Sequence, residues 1–134
     1  MLRFFLLLSL AVLPHSHALA CGDAKAEKFD KFFNRFVKEA KFAKSRTQYP
    51  LMVTVVEPKS MGITQTSVSR GEDEFTPSIA EMMESNGMGF GGVKLSKDAA
   101  TVTVYRANPP VYLGYRFVRE TGCWYLKEIE DKVE

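Results

Sequence analysis

The residues able to do chemistry are few, and their positions narrow what they can do. Both histidines, His15 and His17, fall in an amino-terminal leader whose removal would leave none in the remaining chain. Without histidine, Ser-His-Asp and Cys-His nucleophilic catalysis are excluded. Histidine-containing zinc sites are excluded too, and two cysteines cannot supply the four thiolates of an all-cysteine site. A carboxylate paired with a tyrosine could still move protons, and Glu57 with Tyr105, Tyr112 or Tyr115 is the available set. Their spacing carries no motif, so the expectation leans away from an enzyme, with no cofactor and no metal. Glu72-Asp73-Glu74 lacks the alternating oxygen ligands of a calcium loop and reads as a solvated loop. The glycine-rich stretch Asn86–Gly92 lies after a helix and before a strand, with Val93 where a phosphate loop needs lysine. A phosphate cradle needs the opposite order, so a mobile loop or lid is expected there.

Cys21 and Cys123 allow two readings. A disulfide between them would tie the amino terminus to the last strand, as suits an exported chain with an even thiol count. Alternatively Ala18-Leu19-Ala20-Cys21 is a degenerate lipobox and Cys21 carries a lipid anchor. That reading leaves Cys123 as an odd thiol and almost no tether before the first helix.

The elements that must position these residues begin with the leader. Arg3, the apolar run Phe4–Leu13 and Ala18-Leu19-Ala20 have the layout of a secretory signal peptide, 1–20. The run is too short to span a bilayer. Export to the periplasm, cell envelope or medium follows, with 21–134 as a single domain and no transmembrane segment. From Asp23 to about Lys44, Phe29, Phe32, Phe33, Phe36, Val37 and Ala40 recur at the helix period, with Asp23 as N-cap. Lys25, Lys28, Lys31, Arg35, Lys38 and Lys41 take the other side, a solvated face or a contact for an anionic partner. Leu51–Val56 reads as a central strand broken by Pro58 and Gly62, and Ile63–Ser69 as a polar edge strand. Thr76 and Pro77 start a short helix, Ser78–Glu84. Thr101–Arg106, Val111–Arg119 and Cys123–Ile129 then form an antiparallel meander, with Gly114 marking a bulge or bend. The fold class is therefore α+β: a long N-terminal helix on a curved antiparallel sheet of about four strands, plus one short helix.

At 134 residues, with 46% hydrophobic and 25% charged side chains, the chain is neither disordered nor of low complexity. Its formal net charge of +2 is too balanced to indicate nucleic acid as a partner.

Three stretches carry a resemblance: Phe29-x-x-Phe32-Phe33-x-x-Phe36, Ser45-Arg46-Thr47-x-Tyr49-Pro50-Leu51, and Gly122-Cys123-Trp124-Tyr125-Leu126-x-x-Ile129. Together they resemble an uncharacterised family of exported bacterial proteins with the cystatin-like and nuclear-transport-factor-like (SnoaL-like) cone. The resemblance implies a curved sheet wrapped around a helix, and allows a homodimer through the outer sheet face. It selects no activity, because that fold hosts many. A non-enzymatic exported protein that binds a protein or small amphiphile is expected. Tyr105, Tyr112, Tyr115, Phe117 and Trp124 would line the concave sheet, with Arg116 at its mouth or on the outer sheet, where cross-strand pairing with Glu128 or Glu130 is the plainer role. The other readings are an inhibitor or immunity-type protein presenting Gly71–Phe75 or Ser85–Gly92 to a toxin or hydrolase, and the carboxylate/tyrosine enzyme.

Overall fold

Phe29, Phe32 and Phe36 recur every three or four residues, which on a helix is one face, and that face is buried. The computed structural model describes Cys21, residues 25–74 and residues 78–133. The leader 1–20, the Asp23 cap and the Thr76-Pro77 helix start lie outside the described residues.

The long first helix is in fact two. Helix α1 spans Phe29–Lys38 and α2 spans Ala40–Ser45, with Glu39 between them in an extended conformation (φ −115°, ψ 97°). At 3.6 residues per turn a continuous helix would carry Phe42 onto the lysine face, beside Lys31 and Arg35. The break turns Phe42 inward, its ring 5.9 Å from that of Phe32. Arg35 braces the corner, 2.9 and 3.0 Å from the Glu39 carboxylate and 3.9 Å above the Phe42 ring.

Six strands follow, not four: β1 Thr47–Lys59, β2 Gly62–Arg70, β3 Gly89–Leu95, β4 Ala99–Ala107, β5 Pro110–Glu120 and β6 Cys123–Val133. The third helix, α3, spans Ile79–Asn86. The sheet runs β2-β1-β6-β5-β4-β3, antiparallel throughout except that β1 pairs with β6 in parallel. It is therefore mixed, a feature that local sequence cannot reveal because β1 and β6 lie at opposite ends of the domain. β1 continues through Pro58, which lies beyond Val56↔Lys132, the last pair with β6, where a missing N–H is tolerated.

Only Gly87-Met88 of the glycine-rich stretch is loop, and from Gly89 onward it is strand β3. Gly91 is the extra residue of a bulge between Phe90↔Val104 and Gly92↔Thr103. A Cβ on Gly91 would stand 3.4 Å from the Thr103 methyl and 3.5 Å from the Tyr105 Cβ, and Gly92 has φ +154°. Glycine thus permits the pairing while erasing the side-chain pattern that would announce a strand. A second bulge leaves Lys127 unopposed on β5, since Arg116 pairs with Glu128 but Phe117 with Leu126. Gly114, the expected bend, pairs in register with Thr103 and Glu130.

The core lies between α1 and the concave face of the sheet. The Phe117 ring sits among Phe29, Phe32, Phe33 and Phe36 at 5.2–5.8 Å, edge to face with each. Val102, Val104, Leu51, Leu126 and Ile129 complete the sheet side.

Candidate functional site

Strand alternation divides the six expected site residues between two faces. Tyr115, Phe117 and Trp124 point into the core and are buried. Tyr105 and Tyr112 pair across β4 and β5 on the other face, ring centroids 4.9 Å apart. Arg116 shares that face and bonds the Glu128 carboxylate at 3.3 Å. Beside the tyrosine pair a hollow of about 520 Å³ is lined by Gly91, Gly92, Lys94 and Thr103.

A larger opening lies between α1 and β3. β3 is the edge strand on this side of the sheet, and α1 covers its inner face only in part. Phe90, Val93 and Leu95 therefore stand 55%, 53% and 60% exposed. Opposite them Phe33 and Val37 form the helix wall, with Phe33 and Phe90 rings 5.8 Å apart. The result is an apolar groove of about 940 Å³, closed at one end by Trp124, Arg119 and Lys97. This is within the size of small-molecule sites. Sequence reasoning found Trp124 but missed Phe90, Val93 and Leu95, because a strand read as a loop has no faces.

The closed end is built on a buried polar knot. Arg46, 6% exposed, donates to Glu27 at 3.0 Å, to the Trp124 carbonyl at 3.2 Å and to Cys21 Sγ at 3.1 Å. Glu27 also accepts the Trp124 backbone N–H at 3.1 Å, and the Trp124 indole donates to the Glu27 carbonyl at 3.0 Å. Cys21 and Cys123 form a disulfide against this knot, so the bridge reading of the two cysteines is the one the structure contains. Trp124 is thus fixed on three sides, and Arg119 lies 5.4 Å over its ring while bonding Asp98 at 3.0 Å.

Elsewhere on the concave face, β6 runs past Ile129 and its alternation brings Asp131 inward. Asp131 pairs in register with Leu113 and Val55, and its Oδ1 is buried without a hydrogen-bond partner. Burial, reinforced by Glu57, raises its carboxyl above the ordinary aspartate range. Burial and then the Asp131 charge push the neighbouring Tyr115 phenol up as well. Glu57 and Tyr115, two of the expected acid–base residues, thus meet through a carboxylate that ending the strand at Ile129 left out. Among the described residues no three His, Cys, Asp or Glu side chains are grouped to hold a metal, and no helix is long and apolar enough to cross a membrane.

Comparison with known proteins agrees with this architecture. No family model and no curated protein matches the chain. Among solved structures it is similar to an NTF2-like protein from Bacteroides fragilis, at TM-score 0.54 and 16% identity, over 82% of this chain. This chain spans about half of that protein, 49% of its length. A de novo designed protein with a curved β-sheet matches at TM-score 0.46 and 14% identity, over 76% of this chain and 90% of that one. A cystatin-like-fold domain of unknown function from Nostoc punctiforme matches at 0.44 and 10%, over 78% and 74%. The chain shares its α+β fold with the NTF2-like protein.

Proposed function

We propose that this is an exported, non-enzymatic binding protein that holds a small amphiphilic molecule in the groove between α1 and β3. The observation that carries the reading is the exposure of Phe90, Val93 and Leu95 as one wall of an apolar groove of about 940 Å³. Three large side chains left open to water on one strand lose the free energy that burial would supply, about 25 cal/mol per Å². A ligand with an apolar body recovers it. The leader layout and the disulfide support export, since such bridges persist in oxidising compartments.

The test is a titration with monolauroylglycerol, a neutral amphiphile, followed by Trp124 fluorescence and calorimetry. Saturable binding, weakened tenfold or more in Phe90→Ser/Val93→Ser, is expected. Binding unaffected by that double substitution would place the ligand elsewhere and sink the reading. A protein partner is the second reading, favoured by the position of β3 at the sheet edge, where a partner strand could add. A stoichiometric protein recovered with the tagged chain from its host's envelope, and lost on the same double substitution, would favour it.

A further inference from the structure

The charges around the groove are unevenly distributed. Its lining includes Lys28, Lys38, Lys97 and Arg119 against Glu27 and Asp30. Glu27 is already committed to Arg46 at 3.0 Å, and Arg119 to Asp98 at 3.0 Å. That leaves three lysines facing one carboxylate, Asp30. The lysines also differ in place. Lys28 immediately precedes α1, so it stands at the positive end of the helix dipole, where no side chain caps the helix. Lys97 lies just past the end of β3, next to Asp98, which brings it to the Arg119–Trp124 end of the groove. Lys38 is the last residue of α1, where the dipole is negative and disfavours an anion. From that charged end the apolar wall runs along Leu95, Val93 and Phe90, about 16 Å at 3.3 Å per residue.

We propose that the groove takes a single-chain anionic amphiphile, a free long-chain carboxylate. Its head group lies at the Lys28–Lys97–Arg119 end and its chain runs along β3 toward Phe90. The proposal rests on the groove reading above and adds the charge and the direction of the ligand. The carboxylate answers Lys28 and Lys97, which have no anionic partner within salt-bridge distance among the described residues, and lies beside the positive helix terminus. The hydrocarbon covers the three exposed side chains of β3.

The experiment compares dodecanoate with monolauroylglycerol, which has the same acyl chain and a neutral head. Both are titrated below their aggregation concentrations into the purified protein at low and at raised salt. The carboxylate is expected to bind about tenfold tighter, as two or three partly exposed ion pairs allow, with the advantage shrinking in salt. In Lys28→Gln/Lys97→Gln that preference falls to near parity. In Lys31→Gln/Lys41→Gln, which removes the same charge from exposed helix positions outside the groove, it persists. Equal affinity for the two ligands in the unsubstituted protein overturns the proposal and leaves the groove reading standing. A preference that survives Lys28→Gln/Lys97→Gln overturns it too. Failure of both ligands to bind removes the groove reading and the proposal with it. Binding only to phosphatidylglycerol vesicles, with no uptake of monomers, overturns it in favour of a membrane surface.

Discussion

Arg46 holds together the end of the fold that closes the groove, and removing it should be severe. In Arg46→Met the aliphatic stem is largely kept and the guanidinium lost. Glu27 is then left as a largely buried carboxylate, 15% exposed, whose remaining hydrogen bond is the Trp124 backbone N–H, and the Trp124 carbonyl loses a donor. Stranding one partner of a buried pair costs about 3–5 kcal/mol. For a domain of this size that is a fall in Tm of roughly 12–20 °C. Thermal unfolding followed by circular dichroism measures it, with urea unfolding to confirm that the m-value is unchanged. The decisive comparison is Arg46→Met/Glu27→Met. If the single-variant loss comes from an orphaned charge, the double variant is more stable than the sum of the singles by about 2 kcal/mol or more. A loss below about 1 kcal/mol in Arg46→Met, or strict additivity in the cycle, would refute the view that the pair is effectively desolvated.

Other consequences can be measured on the same protein. Cys21→Ser/Cys123→Ser opens a bridge across 102 residues and should lower stability by about 4–5 kcal/mol on the chain-entropy account, read from urea midpoints. Mass spectrometry should find the unsubstituted protein two hydrogens lighter than its reduced form. Asp131→Asn should stabilise the fold at neutral pH. Burial raises the Asp131 carboxyl above its unfolded value, so the native state binds the extra proton and stability falls as pH rises through that window. The gain from asparagine should therefore be full at neutral pH and vanish in acid, and a gain that is constant with pH would contradict the assignment.

The amphiphile reading and the buried knot are connected through Trp124. The same side chain ends the groove and is pinned by Glu27, so the pocket end is held rigid while the β3 wall is free at the sheet edge. Rigid anchoring of one end of a site reduces the ordering cost of binding.

Much of this protein is legible in its residues. The Phe29–Phe36 spacing determined a buried helix face, and the Val111–Phe117 alternation determined which side of β5 enters the core. The leader pattern and the two cysteines set the expected compartment, and the placing of both histidines before residue 18 set the expectation about catalysis. These are local properties, governed by periodicities of a few residues and by the side chains present. The helix break at Glu39, the strand in the glycine-rich stretch and the parallel pairing of β1 with β6 were decided by tertiary structure. In each case the competing local conformations are close in energy, and a distant partner tips the balance: Phe32 for Phe42, β4 for β3, β6 for β1. The groove follows from the same physics. It exists because a strand nearly devoid of local signal pairs at the edge of the sheet, where the helix covers its inner face only in part.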